Sequence, residues 1–260
     1  MVDRGIAELL PRRVAADPAR PLVTFYDDAT GERVELSGRT FDNWVAKTAN
    51  FLVDGLDVQP GGRVALALPP HWQTAVWLFA CWAAGVAVEL VEPGAVPAAD
   101  VLAAAEGALP DAPGAEVVGL SLHALGAPLR DCPPGVVDYA AEVRGYGDRF
   151  VPPVPADPAA PALIVTNTTF TGVALAAEAT EIAGRYGLDA QSRVFVGFPA
   201  TTREWVLSGL LAPIAAGGSV IIQRNLDNGV LDRRLSLEHV SAVAGVTGWN
   251  DASGSIRRLL

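Results

Sequence analysis

The sequence predicts an α/β fold, in which mostly parallel sheets are covered by helices on both faces. Short apolar runs, the pattern of buried strands, alternate along the chain with longer segments whose apolar residues recur at helical spacing. Several of the short runs are apolar at every position, as in strands that are buried on both faces of a parallel sheet. No repeat of fixed period is present, so the sequence does not predict a solenoid.

The first expected elements are a β-hairpin and a helix. Residues 22–26 and 33–36 are short runs rich in strand-forming residues, and the turn-forming sequence DDATGE joins them. In the next segment the apolar residues recur at helical spacing. Thr40 is placed to cap this helix, and Gly55 is placed to end it.

The later elements continue the alternation. Expected strands, each a short apolar run, are residues 63–68, 86–92, 115–120, 162–166, 193–198 and 219–223. Expected helices are residues 71–85, 97–109, 173–186, 204–217 and 237–243. Many prolines and glycines between residues 124 and 161 predict an irregular connection. We treat residues 1–260 as one unit and place a subdomain boundary at 151–161, between an α/β subdomain 1–150 and a second one, 162–260.

Composition and charge narrow the classes of function. The formal net charge of −10 argues against binding to nucleic acid or to an anionic membrane, because both need clustered positive charge. No apolar run reaches membrane-spanning length without interruption, and the N-terminus lacks the pattern of a signal peptide. Cys81 and Cys132 are too isolated for a disulfide framework or a metal site. We therefore expect a cytoplasmic protein without a bound metal.

The histidines and serines do not form a catalytic or metal-binding pattern. His71, His123 and His239 stand far apart in the sequence. We expect His71 to begin a helix and His239 to lie on a solvated helix surface. Ser208 falls within an expected helix and lacks the glycine that precedes the serine of a nucleophile elbow, so a Ser-His-Asp triad is not supported.

The three tryptophans of the expected helix 71–85 are interpreted as packing residues. Trp72, Trp77 and Trp82 are spaced by five residues around an expected helix, which favours packing in the core and at interfaces over a platform for stacking bases.

Paired arginines in an acidic chain usually lie on a solvated face. We expect that position for Arg233, Arg234, Arg257 and Arg258.

The sequence ALIVTNTTFTGVAL, residues 162–175, raises the question of ligand binding. It reads as a buried strand, a small polar loop and a helix, an arrangement that holds phosphate groups in many proteins. The loop is rich in threonine and contains no lysine. Its threonines also suit the simpler role of capping the next helix.

Several segments resemble the adenylate-forming enzymes, the superfamily of acyl-CoA synthetases and peptide-synthetase adenylation domains. These segments are VELSGRTFDNWVAKTANFLVDGLDVQPGGRVALALP, AAGVAVELVEP, ALIVTNTTFTG and VFVGFPATTREWVLSGLLAPIAAGGSVII. The resemblance covers nearly all of this chain but only the N-terminal half of such an enzyme. It implies a truncated large domain, with the segments for adenine and ribose, and a lid carrying a catalytic lysine, beyond residue 260. Half-length actinobacterial adenylation-like proteins, which have no assigned function, are similar in this respect.

The resemblance implies a phosphate loop with altered chemistry. Aligned without gaps to the superfamily pattern YTSGTTGxPKG, this chain has Thr168 and Thr171 at the two inner glycines and Ala174 at the lysine. Positive φ is an outlier for threonine, so the phosphate-binding backbone geometry is not expected there. Free N–H groups at the start of the next helix are still expected to attract an anion. The candidate cofactor-binding residues are Thr166, Asn167, Thr168, Thr169, Thr171 and Gly172, and no catalytic residue is identified.

Two hypotheses about function remain open from the sequence. The first is a non-catalytic adenylation-like protein that acts through protein or small-ligand binding and needs no cofactor. Its helix at 205–216 would leave an apolar face that a second copy of the chain or a protein partner covers. The second is a nucleotide- or acyl-binding transferase or ligase that retains binding of ATP or AMP at residues 166–172. The sequence favours the first hypothesis.

Overall fold

The computed structural model describes residues 5–123, 126–251 and 254–259, and these ranges contain two β-sheets. In chain order the strands are β1 Pro21–Asp27, β2 Glu32–Ser37, β3 Arg63–Ala67, β4 Ala87–Leu90, β5 Val101–Ala105, β6 Glu116–Leu120, β7 Val136–Asp138, β8 Pro161–Val165, β9 Thr168–Thr171, β10 Arg193–Val196, β11 Ser219–Arg224, β12 Ala242–Ala244 and β13 Arg257–Leu259.

Helices pack against both sheets. They are α1 Leu9–Ala16, α2 Gly38–Asn50, α3 Trp72–Ala83, α4 Tyr139–Glu142, α5 Gly172–Arg185, α6 Arg203–Val206, α7 Ala212–Ala215 and α8 Leu231–Leu237. A π-helical turn, Phe51–Gly55, extends α2, and a second one, Leu207–Leu211, joins α6 to α7 in one continuous helix. In the described ranges, no helix is both long enough and apolar enough to cross a membrane.

The six-stranded sheet combines strands from the two halves of the chain. Its order is β13-β12-β10-β11-β1-β2, in which only the β1–β2 hairpin is antiparallel. The N-terminal strand β1 pairs in parallel with β11, so that Val23 lies opposite Val220. The expected hairpin at residues 22–36 is therefore confirmed, and it forms one edge of this sheet.

The seven-stranded sheet has the order β7-β6-β5-β3-β4-β8-β9 and is parallel except for the last pair, β8 and β9. The predicted fold class, α/β with mostly parallel sheets, is thus confirmed. Both sheets draw strands from either side of the connection at 151–161, because β8 and β9 join the strands that precede it and β1 joins the strands that follow it.

The main hydrophobic core lies between the two sheets and includes the tryptophan-rich helix α3. Trp72, Trp77 and Trp82 are 2%, 0% and 2% exposed, which confirms the expected packing role. Trp82 Nε1 also donates a 2.8 Å hydrogen bond to the carbonyl oxygen of Ala162 in β8. Two smaller apolar clusters cover the outer faces of the sheets, so residues along the central strands alternate between the main core and an outer cluster.

Two expected helices are wrong. Residues 97–109 contain no helix but the strand β5, which lies between β3 and β6 with Ala103 and Ala104 fully buried. The parallel pairing on both sides overrides the helix propensity of its alanines. The second is the helix expected at 237–243. In the structure α8 ends at Leu237, and residues 242–244 form the strand β12.

Two further expectations about helices need correction. Ser37, rather than Thr40, caps α2, since the Ser37 hydroxyl accepts a hydrogen bond from the Thr40 N–H. The helix around Trp205 does not present an apolar face to solvent, because Trp205, Leu210 and Leu211 are fully buried. In the described ranges the exposed large apolar side chains lie outside this helix, at Val96, Val151, Val154, Val230 and Leu237.

Gly245 packs closely against Phe198 at the carboxyl-terminal edge of the six-stranded sheet. Gly245 follows β12 with a φ of +73°, and a Cβ built on it would overlap the Phe198 ring and lie 2.6 Å from the Phe198 backbone nitrogen. Gly248 has the same φ of +73°, but a Cβ there would meet no atom within 4 Å. The two positions therefore share one backbone conformation and differ in the space around it.

We predict that Gly245→Ala lowers the free energy of unfolding far more than Gly248→Ala. Both substitutions place alanine in the left-handed region, at a cost of about 1–2 kcal/mol. Only the first adds overpacking, which costs a further ~1–3 kcal/mol. Urea unfolding of the two variants measures the difference, and equal losses would contradict the close contact at Gly245.

Candidate functional site

The segment that resembles a phosphate loop is a β-hairpin in the structure. Strands β8 and β9 pair antiparallel, with Val165 opposite Thr168, and only Thr166 and Asn167 connect them. These two residues have φ values of +47° and +63°. Positive φ at both central residues is the pattern of a type I′ turn, the tightest common hairpin connection. The expected polar loop between a strand and a helix is therefore replaced by a two-residue turn and a second strand.

Local sequence explains this hairpin in part. The β-branched and aromatic residues of β9 favour extended backbone, and Leu163 pairs with Phe170 across the strands. Asn167 tolerates positive φ, whereas Thr166 adopts it against the preference of a β-branched residue. Neither Thr168 nor Thr171, which stand at the superfamily's inner glycines, has a positive φ.

Acceptors from the protein itself occupy the first N–H groups of α5. Gly172 N–H donates to the Ala160 carbonyl at 3.3 Å, and Val173 N–H donates to the Pro158 carbonyl at 2.7 Å. Ala174 N–H donates to the hydroxyl of Thr171, which caps the helix. The free N–H groups expected at this helix start are therefore engaged, and the capping role suggested for the threonines is confirmed at Thr171.

The candidate binding residues do not converge on one point. Thr166 and Asn167 form the tip of the hairpin, whereas Thr171 and Gly172 lie at the start of α5. The extended strand between them rises ~3.3 Å per residue, so its ends are about 10 Å apart. Thr168 and Thr169 are exposed on this edge strand.

The one lysine of the sequence, Lys47, forms polar contacts within the fold. Lys47 Nζ forms an ion pair with Asp148 at 2.8 Å and donates a 2.5 Å hydrogen bond to the Tyr146 carbonyl oxygen. These contacts fasten the segment after α4 to α2. The lysine is thus committed to an ion pair within the fold.

A cleft of about 480 Å³ lies beside the hairpin, between α5 and the continuous helix from α6 to α7. Arg203 lies in its wall, with its guanidinium carbon 4.5 Å from the centroid of the Phe170 ring and an ion pair to Glu178. The Arg203 Nε atom is buried and has no hydrogen-bond partner among the described residues. Ser208 also lines the cleft from the π-helical turn, a type of turn that is frequent at functional sites.

His71 begins α3, as expected, and is completely buried. Its Nδ1 accepts a hydrogen bond from the Gln73 N–H at 3.2 Å, and its ring lies 4.4 Å from that of Phe25. Its Nε2 is 4.0 Å from Glu32 Oε1, and neither atom has a hydrogen-bond partner in the part of the chain that the structure describes. Burial lowers the pKa of the His71 imidazole below its ordinary value of 6.5.

The other two histidines lie in segments that connect helices and strands. His239 is exposed, but it follows the end of α8 with a φ of +51° instead of lying within a helix. His123 lies after β6. Within the described ranges, no three histidine, cysteine, aspartate or glutamate side chains are grouped so that they could hold a metal ion.

Charged residues on the outer face of the six-stranded sheet form a network that sequence reasoning missed. Glu238 accepts hydrogen bonds from Tyr26 and Arg193, and Arg33 is 3.1 Å from it. Burial opposes the ionisation of Glu238, but these donors and charges outweigh it and lower the pKa of its carboxyl group. No local sequence pattern predicts this network, because its members are distant from one another in the sequence.

Two arginines expected on a solvated face are held by the fold. Arg234 pairs with Asp28 at 2.6 Å, and its guanidinium carbon is 4.2 Å from the Tyr26 ring centroid. Arg257 donates hydrogen bonds to the carbonyl oxygens of Tyr186 and Gly187. Solvation was therefore the wrong expectation for both, whereas Arg233 and Arg258 are exposed.

Comparisons with known proteins agree with this architecture. A family model described as "AMP-binding enzyme" matches residues 10–106. A TIGR03089 family protein of Mycobacterium tuberculosis is 40% identical over 239 residues, which are 90% of this chain and 96% of that protein. The structure of the anthranilate CoA ligase AuaEII in complex with anthranoyl-AMP matches with a TM-score of 0.75 at 13% identity. That match covers 93% of this chain and 49% of the ligase, so the chain spans about half of the ligase's length.

These findings confirm the resemblance to the N-terminal half of the adenylate-forming superfamily. The structural match, at 13% identity, concerns the fold alone. The name of the mycobacterial relative states a family and no activity.

We predict that Thr166→Asn stabilises the protein. Asparagine occupies the left-handed region more readily than threonine, so the change should raise the free energy of unfolding by roughly 0.5–1 kcal/mol. The expected rise in melting temperature is about 1–4 °C. Thr168→Asn, which places the same residue in β9, is the matched control and should give no gain. A gain of equal size at both positions would contradict the two-residue turn.

We also predict that His71 makes stability fall with acidification. Since the folded-state pKa of His71 is lowered, the unfolded chain binds the proton first, and stability is lost as pH falls below the unfolded value of 6.5. His71→Asn keeps a capping side chain and removes the titration. It should cost on the order of 1–2 kcal/mol at pH 7.5 through lost packing, while flattening the decline from pH 7.5 to pH 5.

Urea midpoints at several pH values measure this decline. His239→Asn is the control, because it removes an exposed histidine at a positive φ that asparagine tolerates. An unchanged slope in His71→Asn, or a flattened slope in His239→Asn, would show that another group is responsible.

Proposed function

This chain belongs to the TIGR03089 family and has the fold of the large domain of adenylate-forming enzymes, and on that premise we propose that it is a non-catalytic adenylation-like protein. In this proposal the protein acts by binding another protein or a small ligand and does not make acyl-adenylates. The observation that supports the proposal is the two-residue turn at Thr166 and Asn167, in the segment whose sequence resembles the superfamily's phosphate loop.

Binding a triphosphate needs several donors that converge on the same oxygens. Here the first N–H groups of α5 already have acceptors within the protein. The one lysine is paired with Asp148, and Arg203, near the hairpin, is paired with Glu178. A phosphate at this hairpin would therefore have to compete with formed hydrogen bonds and ion pairs.

The test is release of pyrophosphate from ATP and Mg²⁺ by the purified 260-residue protein. Pools of aliphatic and aromatic carboxylic acids serve as acyl donors, and a competent acyl-CoA ligase serves as positive control. We expect release at the level of the protein-free blank. Release by this protein that disappears when residues 166–172 are substituted would overturn the proposal.

A second candidate function is a nucleotide- or acyl-binding protein derived from a transferase or ligase, with its ligand at residues 166–172. The cleft between α5 and the continuous helix from α6 to α7 supports it, because Arg203 Nε there is a buried donor without a partner in the described ranges. The Arg203 guanidinium also lies over the Phe170 ring of the hairpin. A bound ligand at a hundredfold excess over Kd would stabilise the fold by about 2.7 kcal/mol. Melting temperatures with millimolar ATP, AMP, CoA or acyl-adenylate distinguish the candidates, since only the second expects a rise.

The proposal also covers the class of binding partner and the cellular location of the protein. We propose a protein partner or a second copy of the chain as one class of ligand, and a cytoplasmic location. The net charge of −10 supports the exclusion of nucleic acid and of anionic membranes from the partners. The buried helix around Trp205 does not supply the apolar contact surface that the sequence suggested, so a partner would have to bind elsewhere on the molecule.

A further inference from the structure

A second cavity lies on the side of the molecule formed by the first three helices. It has a volume of about 320 Å³, and α1, α2, the end of α3 and residues 148–151 line it. Most of its lining is apolar, and Pro11, Ala83 and Phe150 have accessible surface there. Leu10, Val45 and Phe79 also line it but are only 3%, 5% and 3% exposed. Val151, 83% exposed, extends this apolar surface to the rim. Concave, mostly apolar pockets with few polar groups are the usual form of small-molecule sites, and this volume is at their lower end.

One carboxylate stands in this apolar wall without a partner. Asp42 lies in α2 and is half-buried. Among the described residues, no hydrogen bond or ion pair engages its carboxyl group, and burial raises its pKa. An unpaired carboxylate in apolar surroundings is costly, and a cation placed against it relieves that cost.

The other charged groups at this cavity do not neutralise Asp42. Asp148 is already paired with Lys47 at 2.8 Å. Arg149 is exposed at the rim and forms no ion pair with Asp42. Asp42 therefore carries its negative charge in a mostly apolar wall without an ion pair among the described residues.

We infer that this cavity is a binding site for a small primary amine with an alkyl or aryl body. The ammonium group would donate hydrogen bonds to the Asp42 carboxylate, and the apolar body would pack on the accessible apolar lining, Pro11, Ala83, Phe150 and Val151. A neutral ligand would leave the carboxylate unpaired, and an anionic one would be repelled by it. The inference specifies the small ligand in the binding role proposed above, and it rests on that role.

The test compares 2-phenylethylammonium with 2-phenylethanol, which has the same body and no charge. Calorimetric titration of the full chain at pH 7 should show binding of the ammonium at least tenfold tighter than binding of the alcohol, because hydrogen bonds between charged groups are the strong ones. Asp42→Asn should weaken the ammonium at least tenfold and leave the alcohol unchanged. Asp54→Asn, at an exposed carboxylate in the π-helical extension of the same helix, should change neither.

Dependence on pH gives a second readout. Affinity for the ammonium should rise as pH increases from 4 to 7, because the Asp42 carboxyl must ionise and its pKa lies above the usual 3.8. In Asp42→Asn this rise should vanish. Circular dichroism of each variant verifies that it folds.

Equal affinity for the ammonium and the alcohol, binding of neither, or equal losses in Asp42→Asn and Asp54→Asn would each overturn the inference. Its failure is distinguishable from failure of the proposed function, because the pyrophosphate assay involves the hairpin at residues 166–172 and not Asp42. Pyrophosphate release together with amine binding would overturn only the proposed non-catalytic role.

Discussion

Parallel pairing between β1 and β11 is the constraint on which the rest of the architecture depends. It inserts the N-terminal hairpin into a sheet whose other strands come from the last third of the chain. The segment that follows then enters the seven-stranded sheet, and α3, which contacts β1 of one sheet and β4 of the other, lies between them. Burial of the tryptophans of α3 in that space joins both sheets into one core. His71, at the start of α3, is brought to 4.0 Å from Glu32 of the hairpin for the same reason.

The β8–β9 hairpin lies where the sequence resembles the phosphate loop of the adenylate-forming superfamily. A phosphate loop presents several N–H groups in one concave arrangement. In the hairpin at residues 161–171, strand pairing and the capping of α5 direct those groups to acceptors within the protein. The surrounding sheets and helices have the fold of the large domain of adenylate-forming enzymes. The non-catalytic role proposed above rests on this hairpin and not on the fold, because one fold can carry different chemistries.

Charge pairing also distinguishes the two cavities. In the cleft beside the hairpin, Arg203 is held by Glu178 and by the Phe170 ring, so most of its charge is balanced by the protein. At the outer face of the six-stranded sheet, Glu238 is likewise surrounded by donors. Asp42 differs because no described group balances it in an apolar wall. This contrast, more than the size of either cavity, is the basis of the amine site inferred above.

The sequence by itself determined the α/β class, most of the strands and the burial of the tryptophans, because these follow from the period and length of apolar runs. It also indicated His71 as a helix start. Only the tertiary structure decided that the alanine-rich segment at 101–105 is a strand, since neighbouring strands on both sides supply the hydrogen bonds that outweigh helix propensity. It likewise decided the partner of Arg234, which is 206 residues away in sequence. The sequence did not predict the hairpin turn at Thr166, because positive φ opposes the backbone preference of threonine. The pairing of β8 with β9 imposes that conformation.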